Sequence, residues 1–299
     1  MENSSFKQLV ILSGKGGTGK TTFALMLAEV FNNKAVIDCD VDAANLHLLI
    51  KHQIKEQHGF WGSKKASIDT GQCSQCGLCE SLCRFDAISN FIVDPLKCEG
   101  CGLCYRACPE KAIVFQKAKS GNYFESVTEK NSPFTYARLN PGEGNSGKLV
   151  NEIKSVTIKN LPADTEWIIV DGPPGIGCPV NSSLSSADYV IIITEPTLSG
   201  MYDMKRLVKL LKTLNYPCGI VINKYDLNSN ITDEFISYSN SENLGILGKI
   251  PYDKEFMKSL IRQENILNQN SDYLHLIKEI SIKIKQNLSK ENIEEIEIR

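Results

Sequence analysis

Eight of the eleven cysteines crowd into residues 73–108, and they form two copies of one spacing, C-x2-C-x2-C-x3-C. "CSQCGLCESLCRFDAI" opens at Cys73 and "CEGCGLCYRACPEKAI" at Cys98, so every cysteine of the first copy has a counterpart 25 residues on. Gly77, Leu78, Ala87 and Ile88 recur as Gly102, Leu103, Ala112 and Ile113, an internal duplication. Thiolates packed this tightly suit soft metals, and in a reducing compartment many cysteines point to metal rather than disulfides. A second set of residues suits phosphate. "GKGGTGKT", residues 14–21, matches G-x4-G-K-[ST] behind the apolar run "QLVILS" and ahead of a helical pattern. In that geometry backbone N–H groups turn inward onto phosphate oxygens and the helix start adds partial positive charge. Lys20 is expected to reach the β- and γ-phosphates and Thr21 Oγ to coordinate Mg²⁺. Gly14, Lys15, Gly16, Gly17, Thr18, Gly19 and Thr22 complete the expected cradle.

Carboxylates follow in an order that fits this chemistry. Asp171 ends the apolar run "WIIVD", where a ligand to Mg²⁺ or its water belongs, and "DGPPG" supplies a turn able to change shape when the terminal phosphate leaves. Asp38, Asp40 and Asp42 cluster after "AVID". The cysteine spacing resembles that of bacterial two-cluster ferredoxins. The resemblance implies that Cys73, Cys76, Cys79 and Cys108 hold one [4Fe–4S] cluster, and that Cys98, Cys101, Cys104 and Cys83 hold a second. The first copy carries Arg84 where the second has Pro109, a departure in the turn rather than in the ligand set. The alternative is a pair of zinc sites. Zinc favours two C-x2-C pairs separated by a longer loop, and the tight tetrads repeated in register favour iron and sulfur.

The elements that must position these residues alternate. "QLVIL" (8–12), "AVID" (35–38), "EWIIVD" (166–171), "YVIIIT" (189–194), "CGIVIN" (218–223) and "ILGKI" (246–250) are short and rich in β-branched residues, as strands buried on both faces are. "KTTFALMLAEVFN" and "MYDMKRLVKLLKTLN" carry helical patterns between them, and "SGKLVNEIKSVTIKN" is a further helix. Such alternation predicts an α/β fold: a mostly parallel sheet with helices on both faces, as in P-loop NTPases. The cysteine repeat interrupts it. The expected organisation is a first part of the ATPase domain in 1–51, an inserted ferredoxin-like α+β cluster domain with its return loop in 52–147, and the remainder of the ATPase domain in 148–299. Within the insert, 114–150 reads as a loose strand pair and a return loop.

The second lysine of the loop carries a further resemblance. "KGGTGKT" is similar to the signature of the deviant Walker A ATPases, the group of MinD and ParA partition proteins, Mrp-type iron–sulfur carriers and the nitrogenase iron protein. The resemblance implies a homodimer that closes face to face around two ATP molecules, with Lys15 reaching into the partner's site to offset charge between phosphates. It also implies that Asp40 orients the attacking water, that Asp38 supports Mg²⁺ from farther out, and that Asn223 in "INKYD" and Pro251 and Asp253 in "GKIPYD" face the base. Lys15 as a solvated loop lysine is the plain alternative. Cys178 stands seven residues after Asp171, the offset of a cluster-ligating cysteine in the nitrogenase iron protein, although no second such ligand is evident. A small residue in a tight switch loop is its favoured role. Cys39 and Cys218 read as core residues.

Composition narrows the function. With 33 basic and 35 acidic residues the net charge is −2, which gives no global field for DNA or anionic lipid. No apolar run is long enough to span a bilayer. The N-terminal "MENSSFKQ" lacks a signal pattern, and the acidic "SKENIEEIEIR" is unlike a basic membrane anchor. A cytoplasmic protein is expected. Three functions follow: an ATP-gated redox protein that acts on a redox partner, an iron–sulfur carrier that loads an apo-acceptor, and a spatial organiser. The first is favoured, because eight ligands in one preassembled unit fit a permanent relay better than a labile cargo.

Overall fold

The computed structural model describes residues 6–254, 258, 262, 267 and 270–297. The chain begins with β1 (Lys7–Ser13), α1 (Lys20–Val30) and β2 (Lys34–Asp38), then enters β3 (His52–Phe60). The cysteine-rich segment follows as β4 (Ser63–Ile68), α2 (Leu78–Ser81), β5 (Ile88–Ser89), β6 (Ile92–Val93), α3 (Leu103–Ala107) and β7 (Ile113–Ala118). The chain returns through β8 (Gly121–Thr128), β9 (Pro133–Leu139), α4 (Ser146–Lys159), β10 (Trp167–Pro174), α5 (Cys178–Leu184) and β11 (Tyr189–Thr194). It closes with α6 (Leu198–Thr213), β12 (Cys218–Asn223), α7 (Ser229–Ser241), β13 (Gly245–Ile250) and α8 (Ser271–Glu297).

Nine strands make one sheet in the order β13-β12-β11-β1-β10-β2-β9-β8-β3. The six strands expected from apolar runs pair in parallel as β13-β12-β11-β1-β10-β2, with β13 at one edge, and β9 adds to β2 in parallel. Alternate residues of each central strand serve opposite layers. Leu9 and Ile11 pack with α1 and α8, while Val10 and Leu12 pack with the α4–α7 side. Both layers are fully buried, which explains the near-continuous apolar strands.

The segment 52–147 is divided by the structure. Strands β3, β8 and β9 extend the main sheet, with β8 antiparallel to both neighbours. The strand pair expected in 114–150 is present as β8 and β9, regular rather than loose, while residues 114–118 belong to β7. Strand β3 escapes a reading by pattern because it is an outer edge: residues 53–57 are exposed, so no apolar alternation marks them. Between β3 and β8 stands a small unit on an antiparallel β4–β7 ribbon, with Ser63 opposite Ala118 nearest the sheet and Ile68 opposite Ile113 farthest from it. Its buried apolar cluster is small, Ala66, Ala87, Cys98 and Ile113, ringed by further cysteines. Residues 1–5 of the N-terminal stretch and residues 298–299 of the acidic tail lie outside the described residues, as do the side chains of 290–299. Among the described residues no helix is long and apolar enough to cross a membrane.

Candidate functional site

A cleft of ≈ 690 Å³ opens at the carboxyl ends of the central strands, where β1 feeds the glycine-rich loop between β10 and β11. This is the crevice in which open α/β sheets take ligands. Gly16, Gly17, Gly19, Lys20, Thr21 and Thr22 line its floor. Gly19 sits at the N-cap of α1 with φ +93°, and a Cβ there would fall 2.3 Å from Asn223 Nδ2. Only glycine serves both the left-handed backbone and that close approach. Asn223, expected at the base, lines the cleft but donates its amide to the Thr18 carbonyl at 2.8 Å, which ties β12 to the loop.

Lys20 is almost completely buried. Its ammonium lies 3.1 Å from Asp171 Oδ1 and 3.7 Å from Asp40 Oδ2. Burial opposes the charged form, yet Asp171, Asp40 and Asp38 together hold its pKa above the ordinary lysine value. Asp171 Oδ2 and Thr18 Oγ1 are buried with no hydrogen-bond partner. A buried carboxylate oxygen left in this way is suited to a cation or its water. Asp38 lies behind the cleft rather than on it: Oδ1 accepts from Asp40 N and Oδ2 from Leu46 N, both at 3.1 Å, so it shapes the 38–46 loop. Burial, then the neighbouring Asp171, pushes its pKa well up. Burial likewise raises Asp40, against the pull of Lys20. Pro251, Tyr252 and Asp253 form the far wall with Tyr273, whose hydroxyl lies 3.5 Å from the Pro251 carbonyl.

Lys15 is partly exposed, but its ammonium is engaged. It pairs with Glu195 Oε1 at 2.9 Å and donates to Thr197 Oγ1 and Ser199 Oγ. Lys224 takes the other Glu195 oxygen at 3.0 Å. Burial would raise the Glu195 pKa, but the hydrogen bonds from Lys15 and Lys224 outweigh it and lower it. Glu195, Thr197 and Ser199 escape the sequence reading. The available signal is their position directly after β11, on the carboxyl edge of the sheet.

The cysteines gather in two cavities. One is lined by Cys73, Cys76, Cys79 and Cys108, the other by Cys83, Cys98, Cys101 and Cys104. Each copy thus sends its fourth cysteine to the other copy's site. The backbone repeats as well: φ is +74° at Gly77 and +71° at Gly102, +48° at Asp86 and +52° at Lys111. Ala87 N donates to Cys83 Sγ at 3.4 Å, and Ala112 N to Cys108 Sγ at 3.3 Å. Among the described residues no three of these sulfurs lie within 4.8 Å of one another. Cys178 is exposed at the start of α5, Cys39 is fully buried, and Cys218 is half-buried in β12.

A phosphate-shaped loop at this edge of a parallel sheet, with its lysine on two carboxylates, defines a P-loop nucleotide-binding protein. Residues 9–266 match the CobQ/CobB/MinD/ParA nucleotide binding domain, and the chain belongs to that family. An uncharacterized protein of Methanocaldococcus jannaschii is 35% identical over 282 residues, 93% of this chain and 96% of its own. A putative septum site-determining protein MinD of Nephroselmis olivacea is 24% identical over 271 residues, covering 88% of this chain and 80% of its own. The fold is shared with the MinD of Pyrococcus horikoshii complexed with Mg-ADP: TM-score 0.55 at 18% identity, over 93% of this chain and 96% of that one.

Proposed function

We propose that this chain is a Mg²⁺-dependent ATPase that carries two [4Fe–4S] clusters and couples ATP-driven closure of a homodimer to electron transfer or to docking of a redox partner. The observation that carries this reading is the crossed assembly of the eight cysteines, four to each cavity, in the arrangement that the ferredoxin-like spacing implies. The donor set fits the group. A tetrahedral zinc site with Zn–S near 2.3 Å would bring its sulfurs to roughly 3.8 Å from one another. Among the described residues no three of these sulfurs come that close, and the N–H···S bonds from Ala87 and Ala112 suit bound thiolates. When bound, the clusters supply one-electron storage at low potential.

The chain's own residues do the rest of the chemistry. Lys20 and the loop amides hold the β- and γ-phosphates. Thr21 and Asp171 support Mg²⁺, directly or through water, and the unpartnered Asp171 Oδ2 is the oxygen free to do so. Asp40 orients the attacking water. Pro251, Asp253 and Asn223 border the adenine, and Lys15 leaves Glu195 to reach the partner's phosphates. The Mg-ADP bound by the similar Pyrococcus MinD supports the choice of nucleotide and metal. The cleft's working place is the cytoplasm, where ATP is abundant and thiols stay reduced. The cluster-bearing insert is the unit around β4–β7, about residues 61–120, with β3, β8 and β9 belonging to the ATPase sheet. The carrier reading rests on exposed Cys178 alone.

Protein purified without air tests the proposal. It should contain about eight iron atoms and about eight acid-labile sulfides per chain, the content of two four-iron clusters. It should also hydrolyse ATP in a Mg²⁺-dependent manner. Zinc in place of iron, or failure to bind ATP, would overturn it. Transfer of iron to an apo-acceptor on ATP addition would favour the carrier.

A further inference from the structure

The two four-cysteine sites are not equivalent in their surroundings. The β4–β7 ribbon runs outward from the ATPase body. Ala66 and Phe115, nearer the body, line the cavity of Cys83, Cys98, Cys101 and Cys104, whereas Ile68 and Ile113, at the far end, line that of Cys73, Cys76, Cys79 and Cys108. One site is proximal to the nucleotide-binding body and the other distal. Among the described residues, only the proximal site has a lysine ammonium hydrogen-bonded to its ligand loop. Lys65 Nζ donates to the Cys98 carbonyl at 2.8 Å and pairs with Glu143 Oε1 at 3.2 Å. Both side chains are largely buried, 15% and 12% exposed, so water screens the pair poorly. Glu143 belongs to the ATPase body, on the loop between β9 and α4, and its other oxygen accepts from Ser63 Oγ at 3.0 Å.

Resting on the two-cluster reading, we infer that the Lys65–Glu143 pair sets the reduction potential of the proximal cluster, with Lys65 raising it and Glu143 lowering it. Reduction adds one electron, and thus one negative charge, at the proximal cysteines. A fixed cation beside Cys98 stabilises that extra charge, and a fixed anion behind the cation offsets part of the effect. Lys65 is a positioning and tuning residue, not a ligand. Because the offsetting anion comes from the body, the proximal potential depends on how the insert seats on the ATPase sheet.

The opposite signs make the inference testable. The full chain is purified without air as wild type, Lys65→Met, Glu143→Gln, the double variant and Lys65→Arg. Each is titrated with dithionite as electron donor while both clusters are followed by EPR. Lys65→Met should lower one of the two potentials and Glu143→Gln should raise the same one. Each shift should be on the order of tenfold in the reduced-to-oxidised ratio, about 59 mV for one electron. The double variant and Lys65→Arg should return near wild type, and the other potential should hold throughout. Shifts of the same sign in both single variants, or no shift with both clusters intact, would overturn the inference. Absence of iron from the wild type would instead overturn the two-cluster reading. If Lys65→Met loses iron, the sign of the Glu143→Gln shift decides, with Lys65→Arg as the charge-conserving control that should stay near wild type.

Discussion

Gly77 and Gly100 share a left-handed backbone, with φ +74° and +64°, but differ in what a side chain would meet. A Cβ on Gly77 enters open space. A Cβ on Gly100 would fall 2.1 Å from the Lys64 carbonyl, on the backbone of β4. Gly77→Ala therefore carries only the left-handed cost, about 1–2 kcal/mol. Gly100→Ala adds overpacking against backbone that cannot rotate away, about 1–3 kcal/mol more. With about 1.4 kcal/mol per factor of ten, Gly77→Ala should speed local opening of the unit roughly 5- to 30-fold, and Gly100→Ala roughly 30-fold to several thousandfold. Hydrogen–deuterium exchange of the β4 and β7 amides in the intact chain reads this directly, with α1 as an internal control that should not change. Equal acceleration by the two substitutions would refute the argument, because it would mean that β4 does not press on the second cysteine loop.

Lys20→Met should act twice. It strands Asp171 as an uncompensated buried charge, which should cost about 3–5 kcal/mol of stability without nucleotide, and it should abolish the rise in Tm that Mg-ATP gives the wild type. Thermal unfolding with and without nucleotide checks both. Lys154, 4% exposed and donating to the Ser183 and Ser185 carbonyls, has its pKa lowered to about 8 by burial. Between its folded pKa and the ordinary value of 10.5 the unfolded chain binds the extra proton, so stability should rise as pH climbs through this window and level off above it. The gain is about 3 kcal/mol. Lys154→Met should lose that slope in urea unfolding measured from pH 7.5 to 10, and an unchanged slope would contradict the assignment.

What was legible in the sequence follows from where each signal arises. Strands buried on both faces announce themselves by apolar runs, and β11 and β12 match the expected 189–194 and 218–223. The edge strand β3 does not, because residues 53–57 are exposed and mostly polar, and the β8–β9 hairpin shows only as a loose strand pair, because β8 is half exposed and polar residues interrupt both strands. The insert accordingly looked larger than the unit that stands apart from the sheet. At the site, Lys20, Asp40 and Asp171 were readable from motif and order, and the structure brings them together. Asp38 was readable as a member of the cluster, but its role in bracing the 38–46 loop was not. That role depends on two backbone amides which only the folded loop presents. Glu195, Lys224 and Lys65 were invisible because their partners lie far away in sequence: 180 residues separate Glu195 from Lys15, and 78 separate Lys65 from Glu143. Long-range pairs leave no local pattern.

Nucleotide-linked potentiometry tests most directly the central claim that one chain joins a phosphate clamp to a pair of electron relays. The holoprotein is titrated without air in the absence of nucleotide, with Mg-ADP and with Mg-ATP, and the reduction potentials of both clusters are read. The account predicts that Mg-ATP shifts at least one potential relative to the nucleotide-free protein and that the shift disappears in Lys20→Met. Potentials identical in all three conditions, in a protein that demonstrably binds Mg-ATP, would contradict it.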